Sequence, residues 1–456
     1  MIKLLTSRPP SHSAGIRYMV VVAILLTLIQ LHLSYDSTYL SSWKWSSGND
    51  SADNAVSHTG SIIEGCDGLT GSDRVVVTLK TGATEAVKKV PTILNTSLRC
   101  APHVYVFSDL PQKIGQTELY DSLDTVSESV MNENSDFDLY RKQLELRDPE
   151  KIMEELSELR DPREPGYSAA WTLDKYKIMH LIEKAWSLKP DMDFYLHVEA
   201  DSYVIWPSLI TWIQRLDPSK KFYMGSAALI NDVPFGHGGS GYLMSREAMR
   251  SFVVDHNGTA AKWDPRLSNE CCGDYTLALA LKEYDMPVMN AWPTFNGETQ
   301  YTIPFGEDHW CQPLVTLHHI SPAEAEELAS FEAKREKRSS PLLYAELFKD
   351  LMLSKIPAEA ADWDNISNDG TVPDVDSEDA CFTACQYIPN CLQARYDGTI
   401  CLIGTDHVSI GRKLTGWKST WNKTRIEAWA KSQKQCGEPE FPFEKWPSSS
   451  WFAGAP

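Results

Sequence analysis

The chain has 456 residues, 42 % of them hydrophobic and 23 % charged, too long and too apolar for a disordered chain or one small module. Forty-three Lys and Arg against 62 Asp and Glu leave a net charge of −19, which argues against a nucleic-acid partner because phosphate binding needs a basic face. The length predicts two or three domains at ~150 residues each. Fifteen Trp and 18 Tyr supply rings that fill cores or stack on sugars.

Residues 1–17 carry Lys3, Arg8 and Arg17 and precede an apolar run, Tyr18 to Leu33. Its 16 residues fall just short of the ~17–25 that span a bilayer, a shortfall that tilt, thinning and interfacial aromatic rings absorb. The preceding cations predict a cytoplasmic N-terminus and a single-pass type II signal anchor at residues 18–33. A cleaved signal peptide has the same outline, but no small-x-small cleavage site follows in LHLSYDSTYL. Sequons at Asn49, Asn95, Asn257, Asn365 and Asn422, with ten cysteines, predict a lumenal, oxidising setting for the body.

Residues 34–71 are rich in Ser, Asp, Asn and Gly and read as a stem. A strand is expected at Arg74–Leu79, a helix from about Thr84 and a second strand at His103–Phe107, the opening of an α/β sheet. Residues 131–165 read as a charged helical insertion on the surface. Trp171, Tyr176, Met179, Ile182 and Trp186 recur at helical spacing. A strand at Phe194–Val198 delivers Glu199-Ala200-Asp201, and a short helix covers Leu209–Leu216. A strand end at Phe222–Gly225, a last strand at Val315–Leu317 before His318-His319 and a polar helix at Glu324–Lys337 follow. Residues 331–365 read as a linker, and 437–456 as a Pro- and Trp-rich tail. Cys381, Cys385, Cys391 and Cys401 form a disulfide framework with three conceivable pairings, one of them Cys381 with Cys401 and Cys385 with Cys391. Zinc fits less well, because a repeated CxxC pair and a suitable His are missing.

The chemistry gathers around FYLHVEADSYV. Side chains at i and i+2 of an extended segment share a face, so Glu199 and Asp201 would present oxygen ligands to a divalent cation. An ordinary turn is the alternative. The glycine-dense stretch Phe235–Tyr242 lets a backbone approach a ligand closely, or forms a plain loop. Asp274 opens a helix after Cys271-Cys272-Gly273, as an N-cap or as a general base. His318 stands at a strand end, and His319 competes with it as a ligand.

In this order the motifs resemble the Fringe and core-1 β-1,3-galactosyltransferase family, glycosyltransferase family 31, in its fungal branch. The family's DDD-T-Y-V reads Glu199-Ala200-Asp201-Ser202-Tyr203-Val204. Its GGAGYVLSR reads Gly238-Gly239-Ser240-Gly241-Tyr242-Leu243-Met244-Ser245-Arg246. Its glutamate-aspartate motif keeps only the aspartate, in Gly273-Asp274, and its late Leu-His reads Leu317-His318. VTLKTGATE and the FSD ending at Asp109 match the family's nucleotide-binding start, and WTLDKYK with Lys175 and Lys177 matches the segment before the carboxylate pair.

The resemblance implies a GT-A type, Rossmann-like α/β domain over residues 72–330, in a type II Golgi membrane protein. It implies a UDP-sugar donor, a glycan or glycoprotein acceptor, Mn²⁺ and inversion at the anomeric carbon. Glu199, Asp201 and His318 would surround the metal, Thr81 and Asp109 would touch the nucleotide, and Asp274 would be the general base. Residues 366–436 resemble a PAN/apple module, a small disulfide-stapled α+β unit that binds protein or carbohydrate, or serves only as a staple. Losing the family's middle aspartate at Ala200 motivates an alternative, a non-catalytic glycan-binding protein whose transferase domain has decayed.

Overall fold

The computed structural model describes residue 66 and residues 69–161 and 166–443. The expected anchor at Tyr18–Leu33 lies outside the described residues; among them, no helix is long and apolar enough to cross a membrane.

Eleven strands lie between residues 75 and 290: β1 Val75–Lys80, β2 Val104–Ser108, β3 Gln112–Ile114, β4 Thr117–Asp121, β5 Phe194–Glu199, β6 Tyr203–Val204, β7 Tyr223–Gly225, β8 Ala227–Ile230, β9 Val233–Gly236, β10 Tyr242–Ser245 and β11 Val288–Asn290. Eight of them form one sheet in the order β11-β7-β10-β5-β1-β2-β4-β3. β1 runs parallel to both β2 and β5, while β10 is antiparallel to β5. The chain leaves β1 for β2 on one side and returns as β5 on the other. That reversal opens a crevice at the carboxyl ends of β1 and β5, where α/β sheets hold ligands.

The central strands β1, β2 and β5 are mostly apolar and buried because both sheet faces are covered there. Val75, Val77, Leu79, Phe194, Leu196 and Val198 pack into one core, and Val76 and Tyr195 into the core on the other face. Helix Lys177–Leu188 supplies Ile178, Ile182 and Ala185 to the second core. Over the described residues 131–161 the chain is mainly helical, but it is not a pure surface insertion. Phe137, Leu139, Tyr140, Ile152 and Leu156 are buried together with Leu173 and Tyr176 in a third core. The reason is amphipathic: these apolar positions form one side of otherwise charged helices.

Within residues 331–365, Leu342, Tyr344, Leu347, Phe348 and Met352 are buried in the first core, alongside Trp421, Ile426 and Phe441. The C-terminal chain forms a five-stranded sheet, with helix Glu378–Tyr387 against it. Cys381 pairs with Cys401 and Cys385 with Cys391. Three further disulfides join Cys66 to Cys100, Cys271 to Cys272 and Cys311 to Cys436. Of the sequons, Asn95 and Asn257 are exposed and Asn422 is half-buried, while Asn49 lies outside the described residues. Asn365 is 0 % exposed and donates from its amide to Ala394 and Thr420 carbonyls, so it cannot accept a glycan in this fold.

Candidate active site

The crevice is a cleft of about 380 Å³. Lys80, Thr81 and Gly82 line it from the end of β1, and Glu199 and Asp201 from the end of β5. His237, Gly239, Asp274, His318 and His319 complete its chemically active wall.

Backbone pairing assembles this wall. β6 pairs antiparallel with the short strand Thr316–Leu317, in the register Val204 opposite Thr316 and Tyr203 opposite Leu317. Continued one step, that register brings the 199–202 turn beside His318 and His319, and Ile320 N–H donates to the Asp201 carbonyl at 2.9 Å. Ser202 Oγ donates to the Gly239 carbonyl at 2.7 Å, and Thr316 Oγ1 to the Ser240 carbonyl at 2.5 Å. The glycine-dense segment is therefore stitched to both carboxylate and histidine segments.

Its two central glycines face different clusters. A Cβ on Gly239 would lie 2.1 Å from His318 Cε1, so only glycine lets the imidazole occupy its place. A Cβ on Gly238 would lie 3.1 Å from Glu199 Oε1 and 3.5 Å from Asp274 Oδ2. One turn thus separates an imidazole cluster from a carboxylate pair.

The imidazole cluster is Asp201, His318 and His319, whose ligand atoms all lie within 4.8 Å of one another. Asp201 Oδ1 is 3.3 Å from His318 Nε2, and Oδ2 accepts from Lys89 Nζ at 3.0 Å. Burial pushes the Asp201 carboxyl up, but the Lys89 ammonium and the two imidazoles outweigh it and hold the group well below the usual carboxylate range. The expected trio of Glu199, Asp201 and His318 is only partly brought together. Residue 201 lies in a turn, not on the strand, so the i, i+2 argument does not apply; Glu199 reaches Lys80 Nζ at 3.0 Å. Ala200 is 2 % exposed and packs in the core.

Lys80 also bonds Asp174, which accepts from Lys177 Nζ at 2.7 Å. Burial raises the Asp174 carboxyl, yet Lys177 and Lys80 win and bring it down to about 2. Lys177 Nζ donates to the Thr81 carbonyl at 2.9 Å, bracing the turn after β1. Thr81 lines the cleft. Asp109 does not: it is 0 % exposed and accepts from the Ala83 N–H, shaping the turn from below.

Asp274 stands in the first turn of helix Gly273–Glu283, but Cys272 is the N-cap, so Asp274 is no cap. Its Oδ2 accepts from Gly238 N–H at 2.9 Å. Burial raises its carboxyl, and the Glu199 charge adds to that, against the lowering effect of His237 and the Gly238 N–H. A carboxylate so placed is suited to take up a proton. Trp171 also lines the cleft, stacked on Tyr167 with ring centroids 4.3 Å apart.

Lys80, Lys89 and Asp174 were not singled out by the sequence. Lys80 sits inside the VTLKTGATE motif and Asp174 inside WTLDKYK, but their pairing is tertiary; Lys89 carries no local signal at all.

No family model matches the chain, and no curated protein matches it. Twenty-eight chains of solved structures do. One is the crystal structure of a glycosyltransferase involved in the glycosylation of the major capsid of PBCV-1. It is 12 % identical over 56 % of this chain and 98 % of its own, with a TM-score of 0.28. A likeness at that level carries no argument, and the function rests on the cleft itself.

Proposed function

We propose that the chain is an inverting, metal-dependent glycosyltransferase that moves a sugar from a UDP-sugar to a glycan or glycoprotein hydroxyl, as in the Fringe and core-1 family, forming a β-1,3 linkage. The observation that carries this is the pairing, across one glycine turn, of a carboxylate–imidazole cluster with a buried carboxylate of raised affinity for protons.

The residues divide the work as follows. The turn at Thr81–Ala83, braced by Lys177 and Asp109, receives the nucleotide. Asp201 and His318 hold Mn²⁺, with Glu199 or His319 as the third ligand. The bound cation supplies charge neutralisation for the departing diphosphate. Asp274 accepts the acceptor hydroxyl's proton as the oxygen attacks the anomeric carbon. The bond from that carbon to the phosphate oxygen breaks, its electron pair leaves with UDP, and configuration inverts. Trp171 on Tyr167 offers a flat apolar face for an acceptor ring.

The apolar run at residues 18–33 supports a type II Golgi placement with the catalytic body in the lumen. The C-terminal unit acts as a PAN/apple-like module that either holds acceptor glycoproteins or simply staples the fold. The test is UDP release by the purified full chain from a panel of UDP-sugars, with Mn²⁺ and then with EDTA. Metal-dependent turnover of one donor is expected. No release from any donor, with glycan binding that persists in EDTA, would overturn the enzyme reading in favour of the glycan-binding one.

A further inference from the structure

We propose that His319 is the third protein ligand, so that the cation is held by Asp201, His318 and His319 without Glu199, and that this donor set selects transition metals such as Mn²⁺ or Co²⁺ over Mg²⁺. The inference rests on the metal-dependent reading of the cleft and adds to it a ligand and a metal preference.

Consecutive residues of a strand point to opposite faces, so a His-His pair ordinarily gives a cleft one imidazole. His319 breaks that rule. It has φ of 58°, the left-handed region, which only a few per cent of non-glycine residues adopt, Asn, Asp and His more often than the rest. The backbone turns there and returns the second ring to the side of the first, with ring centroids 3.8 Å apart. Gly239 leaves the space that His318 fills. Metal–ligand bonds of ~2.1 Å put ~3.0–3.4 Å between neighbouring ligand atoms on one ion, and atoms within 4.8 Å of one another reach that by side-chain movements of about 1–2 Å.

Glu199 is drawn the other way. Its Oε1 lies 3.0 Å from Lys80 Nζ and against Gly238, on the Asp274 side of the glycine turn. Lys89 takes Asp201 Oδ2, which leaves Oδ1 toward His318. Such an outer partner fixes a ligating carboxylate in place. The set is then two imidazole nitrogens and one carboxylate oxygen, with an ammonium nearby. Mg²⁺ takes oxygen ligands and gains little from imidazole, whereas Mn²⁺ and Co²⁺ bind both donor types.

The test is Mn²⁺ titration of the purified full chain, following loss of the free-ion paramagnetic resonance signal. Asparagine tolerates the left-handed backbone, so His319→Asn removes the ring without forcing the turn. It should weaken Mn²⁺ on the order of 10- to 100-fold, as should His318→Asn, with circular dichroism unchanged. Glu199→Gln should leave the Mn²⁺ affinity within about 2-fold, and a large excess of Mg²⁺ should fail to displace Mn²⁺. Full Mn²⁺ affinity in His319→Asn, or loss of it in Glu199→Gln, overturns the assignment. Ready displacement by Mg²⁺ overturns the preference. Transfer activity with an unaffected His319→Asn would sink this inference alone. Predicted metal binding without turnover of any UDP-sugar would sink the transferase reading alone.

Discussion

Around the cleft the protein buries charge, and in the C-terminal sheet it buries sulfur. Lys80, Asp174, Lys177 and Glu199 form one linked set of ion pairs, and Lys89 holds Asp201. The small core of the C-terminal unit is instead Cys381, Phe382, Cys385, Cys391, Ala394, Tyr396, Cys401 and Ile403, half of it cystine. Arg425 there caps the carbonyls of Cys385, Ile388 and Cys391. Buried ion pairs are poor stabilisers, since desolvation offsets most of their attraction. Disulfides stabilise small cores directly, by restricting the unfolded chain. The difference teaches where to look for chemistry: a fold that needed only stability would not hold so many charges beside an open cleft.

Two substitutions break that comparison on the charged side. Asp201→Asn should lower kcat/KM by about 10³-fold or more, because cation binding and its several kcal/mol of charge stabilisation go together. UDP-release kinetics at saturating Mn²⁺ check it, and near-normal turnover would remove the cleft's claim to catalysis. Asp274→Asn should cost about 10²- to 10³-fold in kcat while Mn²⁺ affinity stays unchanged. The base works only when ionised. Because burial raises the Asp274 carboxyl, activity should fall with decreasing pH through a limb lying above the ordinary aspartate value of 3.8. A pH profile of kcat/KM locates that limb, and in the variant it should vanish from the residual rate.

A smaller change sharpens the geometry. Gly239→Ala places a methyl carbon 2.1 Å from His318 Cε1, far inside contact distance. The imidazole must move, so Mn²⁺ affinity should drop on the order of 10-fold with little change in thermal stability. Equal affinity would mean that His318 is not a ligand.

Much of this was legible in the sequence where local pattern decides structure. β1, β2 and β5 begin and end within one residue of the expected bounds, because buried parallel strands are short apolar runs closed by polar residues. The nearness of Asp201 to His318, 3.3 Å apart, is what the family resemblance implied rather than anything local pattern shows. What the sequence hid depended on backbone or tertiary detail. Alternation assigns His319 to the far face, and only its positive φ reverses that. The departure of Glu199 toward Lys80 depends on a partner 119 residues away. Asp109 looked ready for a ligand, yet the turn after β1 claims its carboxylate first. The helices over 131–165 looked solvated because charged residues outnumber the few apolar ones that bury their inner side.

The mildest test falls on the sulfur side. The Cys381–Cys401 disulfide links residues 20 apart. Closing a loop of that size restricts the unfolded chain by roughly 3 kcal/mol, so Cys381→Ser with Cys401→Ser should destabilise the C-terminal unit by about that much. Hydrogen exchange should report the loss in strands Gln393–Tyr396 and Cys401–Gly404, with protection of β1 and β5 preserved. Turnover of a small UDP-sugar, which needs only the cleft, should be unchanged. A parallel fall in turnover would mean that the two regions are one cooperative unit, joined through the core that Trp421 and Ile426 share with Tyr344 and Phe348.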